Sequence, residues 1–208
     1  MKARIMLAHS IWNGKNKVVK EVLRKMRQDR GNKWNNTLNQ YLREINMSFE
    51  EMVEMSKNQI HRRVDAYDSR KWYEEAATKR TLGVYRKFKK RIEDERIYDN
   101  RKSSEILFKA RSNTLALNTE RRHNSGKTEC DLCHTEEENL QHFLLKCSVL
   151  QDKRDPYLLR KYWRQNKQDM IGELLFNKKD IESVKSMLEN MWRKRFTELK
   201  KRNIITRL

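Results

Sequence analysis

Three cysteines and one histidine, gathered between positions 130 and 147, constrain this chain more than any other feature. Cys130 and Cys133 have two residues between them, His142 follows after eight more, and Cys147 after a further four. Two intervening residues let a tight turn aim both sulfurs at one ion, as in tetrahedral zinc sites. No other cysteine occurs, and an odd number crowded into one short stretch does not read as a disulfide framework. Any one of these cysteines alone would read as a small buried hydrophobe. Four ligand-type residues at these intervals read instead as one closed site, with Cys130, Cys133, His142 and Cys147 holding one structural Zn2+. A catalytic zinc keeps a coordination position open, and four good ligands leave none. His134 reads as a surface neighbour of the site. His9, His61 and His123 stand isolated and read as surface or packing residues.

Local signals around the cluster predict how it is built. Thr135 to Glu138 is a capping-box sequence, which predicts a helix from about Glu136 carrying His142. Residues five apart on an ideal helix lie about 140° apart. Cys147 therefore requires that helix to end, tighten or unwind near Lys146. Leu140, Phe143, Leu144 and Leu150 can pack beneath. Metal binding needs deprotonated cysteine and neutral histidine, so it weakens at acid pH.

The remainder reads as helix. Gly (5) and Pro (1) are too scarce for the turns of an all-β fold, whereas Lys, Arg, Glu, Leu and Met are abundant. The expected fold is mainly α, an irregular helical array around a CCHC zinc knuckle of loop plus short helix. Val18, Val19, Val22, Leu23 and Met26 recur at helical spacing over residues 15–28, and Trp34, Leu38, Tyr41, Leu42 and Ile45 form a second set. Ser48 with Glu51 starts a helix over 49–67, with Met52, Met55, Gln59, Ile60 and Val64 on its core face. Asp68 or Ser69 caps the next helix, and Ser103 or Ser104 starts another. Pro156 stops any helix continuing from the knuckle. In the last helix, capped by Asp180, Ile181, Val184, Met187, Leu188, Met191, Trp192, Phe196 and Leu199 make one apolar stripe. That stripe reads as core, with a protein partner docked along it as the alternative. The expected organisation is a basic helical region over 1–102, a zinc-knuckle domain over 103–160 and an amphipathic helical segment over 161–208.

Lys and Arg number 48 against 29 Asp and Glu, a net charge of +19. Such a surplus in a short chain calls for a polyanion, nucleic acid before an anionic membrane. No apolar run approaches the roughly 18 residues of a membrane span, and the start lacks the apolar core of a secretory signal. The expected location is intracellular, nuclear or cytoplasmic and not secreted, with no membrane partner. Basic and aromatic residues interleave from Tyr85 onward, which suits phosphate contacts with bases packed alongside. Arg86, Lys87, Lys89, Lys90, Arg91, Lys109, Arg111, Arg121 and Arg122 are the expected nucleic-acid contacts. Phe88, Ile92 and Tyr98 serve equally well as the core side of an amphipathic helix. RNA fits better than DNA, because knuckles and interleaved aromatics suit splayed single strands.

Residues 107–159 resemble the zinc-binding C-terminal region of reverse transcriptases from non-LTR (LINE) retrotransposons. The resemblance runs through Lys109, Arg111, Asn113, Leu117 and Arg121, then Cys130-Asp131-Leu132-Cys133. It continues through Glu136 to Glu138, His142-Phe143-Leu144-Leu145-Lys146-Cys147 and Arg154. Such polymerases hold their catalytic metals with a Tyr/Phe-x-Asp-Asp motif, and no Asp-Asp pair occurs here. Some carry a restriction-enzyme-like nuclease after the knuckle, for which residues 148–208 are too few. The resemblance implies the tail of such a polymerase, or a free-standing relative of that tail, without polymerase activity of its own. Two other functions are weighed beside it. One is a zinc-stabilised nuclease of HNH-like type, suggested by Arg121-Arg122-His123-Asn124. The other is a protein-interaction adaptor working through the last apolar stripe.

Overall fold

Asparagine and serine side chains set half of the α-helix starts in the computed structural model, which describes residues 1–89, 92–93, 95–120, 126–202 and 204. Asn16 accepts hydrogen bonds from the Val18 and Val19 amides and begins α2 (Lys17–Gln28), which follows α1 (Lys2–Asn13). Asn32 accepts from the Asn35 amide and begins α3 (Lys33–Glu44). Ser48 and Glu51 form the expected reciprocal box at the start of α4 (Phe49–Glu54). The helix expected over 49–67 breaks at Met55. Ser56 Oγ accepts from the Gln59 amide at 3.3 Å, and Gln59 Oε1 accepts from the Ser56 amide at 2.8 Å. That second box starts α5 (Lys57–Ala77), so Gln59, expected in the core, is exposed and acts as a cap. Asp68 and Ser69 start nothing. They lie exposed within α5, because a cap needs extended backbone and here the helix continues.

Met1–Glu74 forms one compact unit. Its core joins Ile5, Ala8, Leu23, Leu38, Leu42, Met52, Ile60 and Val64. Of the apolar set on α2 only Leu23 is buried; Val18, Val19 and Val22 face solvent. The helical spacing of the set holds, and the narrow contact made by this helix leaves its valines outside the core.

Glu75–Leu208 forms the second unit. It contains α6 (Gly83–Phe88), α7 (Lys102–Arg111), α8 (Pro156–Lys161), α9 (Lys167–Phe176) and α10 (Ile181–Lys201). Asp155 caps α8 through the Tyr157 and Leu158 amides, with Pro156 in the first turn, where its missing N–H costs nothing. One core spans Ile106, Leu107, Leu117, Phe143 and Leu150 together with Leu174, Val184, Leu188 and Leu199. The segments expected as 103–160 and 161–208 are therefore one body, and the boundary between units falls at Glu74 rather than at residue 102. The stripe of α10 enters that core except at half-buried Phe196, with Trp192 edge-on to Phe143 at 5.9 Å. Phe88 lies flat on Phe176 and so close over Gly172 that a Cβ there would sit 1.9 Å from the ring. Phe88 and Tyr98 are thus half-buried packing residues, while Ile92 is exposed. No strand occurs among the described residues; a single antiparallel bridge pairs Glu129 with Glu137. No described helix is long and apolar enough to cross a membrane.

Candidate metal centre

A tight turn over Cys130 to His134 is closed by the His134 amide donating to the Cys130 carbonyl at 3.0 Å. His134 takes a left-handed backbone, φ 56°, to reverse the chain. The Cys130 amide then donates to the Glu136 carbonyl and the Glu138 amide to the Thr128 carbonyl, 2.9 and 2.8 Å, making a two-rung ladder that fixes the turn. The backbone N–H groups of Leu132 and Cys133 point at the Cys130 sulfur.

The helix bearing His142 begins later than expected. Glu136 to Glu138 do not start it, because Glu137 is in the ladder and Glu138 is buried. Asn139 does the capping: its Oδ1 accepts from the His142 amide at 2.8 Å. The five-residue interval to Cys147 is met as expected by the helix ending at Lys146, with Cys147 as its C-cap, and its last turn is widened. His142–Lys146 is a π turn, and the Cys147 amide donates to the His142 carbonyl at 2.9 Å. A turn closed by an i→i+5 bond holds more residues per turn than an α-helix, which brings the fifth residue nearer to the face of the first and narrows the mismatch. Arg154 satisfies the carbonyls this turn leaves open, donating from Nε to Leu144 and from Nη2 to Cys147, both at 2.8 Å.

The four expected ligands come together. One donor atom from each of Cys130, Cys133, His142 and Cys147 lies within 4.8 Å of all the others. Cys130 Sγ and Cys147 Sγ are 4.0 Å apart, and Cys133 Sγ and His142 Nε2 are 3.2 Å apart. Sulfurs bound at 2.3 Å around a tetrahedral ion would sit about 3.8 Å apart. The donor set and these edges therefore fit a tetrahedral metal ion. His142 presents Nε2 to the sulfurs. Its Nδ1 makes no hydrogen bond among the described groups and faces Glu136 Oε2 at 3.7 Å, an ion-pair distance too long for direct bonding. The carboxylate stands where an orienting partner of a metal-bound imidazole belongs. Sharing a proton with Cys147, together with burial, pushes the Cys130 thiol up, and the same bond pulls Cys147 down. The Val149 and Leu150 amides also point at the Cys147 sulfur. Three sulfurs and one imidazole can hold a metal; Cys130, His142 and Cys147 are buried and Cys133 is half-buried. His134 is half-exposed and bonds Glu129 and Arg202, outside the cluster as expected.

Behind the cluster lies a buried ion pair that the sequence did not suggest. Glu138, 1% exposed, receives both Nε and Nη2 of Arg195 at 2.7 Å. The same carboxylate accepts from the Asn118 amide at 3.0 Å and lies 4.0 Å from Cys130 Sγ. Asn118 in turn donates to the Glu129 carbonyl and to Asp131. The knuckle is thereby tied to α10 through charge as well as packing.

No family model, curated protein or solved structure matches this chain.

The basic residues expected to grip phosphates divide. Arg111 is 1% exposed and donates to Glu95, to the Tyr98 hydroxyl and to the Leu175 carbonyl, with its guanidinium 4.6 Å from the Phe176 ring centroid. Lys89 is buried against the same Glu95. Both are core ion-pair members and not the phosphate contacts expected: a phosphate cannot reach them without dismantling that cluster. Lys109 is partly exposed and shares Glu105 with Lys102; these two lysines hold the Glu105 carboxyl down to about 2. Lys87 is exposed and pairs with Asp169, and Arg86 is half-buried. Lys90, Arg91, Arg121 and Arg122 lie outside the described residues, as do His123 and Asn124 of the suggested nuclease motif.

Proposed function

We propose that this chain is a nucleic-acid-binding helical protein organised around one structural zinc ion, with single-stranded RNA preferred to DNA. The observation that carries the reading is the convergence of three cysteine sulfurs and one histidine nitrogen on a common centre, in a chain of net charge +19. Soft thiolates with imidazole in a tetrahedral arrangement select zinc over magnesium, calcium or manganese. Cys130, Cys133, His142 and Cys147 would hold the ion, and it would supply cross-linking to a segment with little regular structure. Every ligand position is then filled, so the centre positions its surroundings and performs no hydrolysis.

The positive charge supplies the partner. Lys87 and Lys109 are exposed enough to exchange a carboxylate for a phosphate at little cost, since surface ion pairs contribute about 0–1 kcal/mol. The likeness of residues 107–159 to the C-terminal region of non-LTR reverse transcriptases supports the same reading. Arg154 holding the carbonyls of the ligand-bearing turn gives the arginine of that pattern a physical task. On this reading the chain binds and orients the nucleic acid for a polymerase and does not polymerise by itself.

Binding to a labelled single-stranded RNA should fall steeply with salt. Four or more phosphate contacts give a slope of about −3 in log K against log salt, from roughly −0.7 per contact on a single strand. Titrations between low and physiological salt measure it. A slope near zero would refute the phosphate-gripping reading.

A further inference from the structure

Trp163 is 56% exposed, a large apolar ring kept in water within a unit where Phe143 and Tyr162 are buried and Phe88, Phe176 and Trp192 half-buried. It borders a groove of about 330 Å³ whose apolar surface comes from Leu145, Leu159 and Met170. Lys146, Arg160 and Lys167 edge the groove, and no carboxylate belongs to its lining. Leu145 and Lys146 come from the π turn that carries the ligand His142, so the groove is built on the scaffold of the metal centre. Lys167 Nζ stands 5.2 Å from the Trp163 ring centroid. Lys146 pairs with exposed Glu136, whereas Arg160 and Lys167 make no ion pair among the described residues. None of these residues belongs to the nine basic positions expected from sequence.

An indole plane beside an apolar trough, rimmed by cations and free of acids, has the complementarity of one unstacked base with its flanking phosphates. Bases of every type offer a π face, and cations track the backbone. We infer that this groove is a stacking site for a nucleobase of single-stranded RNA. Trp163 carries the base, and Arg160, Lys167 and Lys146 face the phosphates on either side. The inference rests on the nucleic-acid reading above and assigns its contact surface.

The test uses the full zinc-loaded chain with a fluorescent twelve-residue oligouridine and, separately, a blunt RNA duplex. Trp163→Ala should weaken oligouridine binding about 5- to 150-fold, the loss of one stacked base. Trp163→Phe should recover most of it, and duplex binding should stay within twofold for both variants. Arg160→Ala with Lys167→Ala should lower the salt slope by about 1.4, from roughly 0.7 per lost contact. The ring is largely in solvent, so zinc content and thermal midpoint should not move. If the alanine variant melts early, the phenylalanine variant and the salt slope of the double variant carry the test. Oligouridine affinity unchanged in Trp163→Ala would overturn this site and leave the nucleic-acid reading standing. Failure of the parent chain to bind either RNA would overturn both. Equal losses on oligouridine and duplex, or a loss confined to phosphatidylserine vesicles, would also overturn the stacking site.

Discussion

In the Cys130→Ser protein, and equally in His142→Ala, the metal should be lost and amide protection should collapse between about residues 111 and 158. The magnitude follows from what the ion would contribute. Apparent binding free energies at structural zinc sites run about 10–16 kcal/mol, whereas a whole domain is stable by only about 5–15 kcal/mol. Beyond the ion, the segment is held by the core contacts of Leu117, Phe143 and Leu150 and by the Glu138–Arg195 pair, and it has little regular secondary structure. Between α7 and α8 its described residues contain one bridge and short turns of three-ten and π type. Its ordered features all depend on the position of the ligands: the His134 left-handed turn, the Asn139 cap and the Arg154 clamp. Removing one ligand also leaves the remaining sulfurs, buried Cys147 among them, without a shared centre. The Met1–Glu74 unit has a core of its own and should keep its protection in the same sample, which serves as an internal reference. Hydrogen exchange followed by mass spectrometry reads both halves at once. Protection retained across 111–158 in both variants would show that packing alone holds the knuckle.

Arg195→Ala should cost about 3–5 kcal/mol, because breaking a buried pair strands its partner's charge. Glu138 would be left 1% exposed with the Asn118 amide as its remaining strong donor. The loss should surface in α10 and in the ladder of Glu129 and Glu137, the two elements the pair joins. The double variant Glu138→Leu, Arg195→Met should recover much of the loss, since well-packed apolar replacements of buried pairs are often neutral or better. Exchange rates in α10 and around Glu138 measure both effects. A loss below about 1 kcal/mol in Arg195→Ala, the level of a surface pair, would mean that water reaches the carboxylate.

These cases also mark what was legible before any coordinates. The ligand set was readable because cysteine and histidine have few reasons to recur at such intervals, and all four converge. Helices were readable from caps: Ser48 with Glu51 acts as its sequence says. The π turn was only half legible. The angular mismatch between His142 and Cys147 demanded a departure from ideal helix, yet nothing in the residues chose widening over unwinding. Buried charge was the larger miss. Arg111 and Lys89 read as phosphate grips because composition assigns Lys and Arg to the surface. A signal existed: Arg111 falls four residues after Leu107, and Arg195 falls four after Met191 and four before Leu199, both on apolar faces. An arginine inside an apolar stripe asks for a buried acid, and Glu95 and Glu138 answer. Gln59 failed for the opposite reason, lying on the core face by period while its amide was needed by Ser56.

The boundary misplaced at residue 160 has a similar cause. A proline after a metal site looks like the end of a domain, but Pro156 only starts α8, and α10 returns its stripe to the core that contains Phe143. Long-range closure of this kind leaves no local mark in sequence.

X-ray absorption at the zinc edge, combined with elemental analysis of natively purified full chain, addresses the central claim directly. One zinc per chain is expected, with three sulfurs at about 2.3 Å and one nitrogen at about 2.0–2.1 Å. Protein without zinc, or zinc surrounded by oxygen and nitrogen alone, would contradict it.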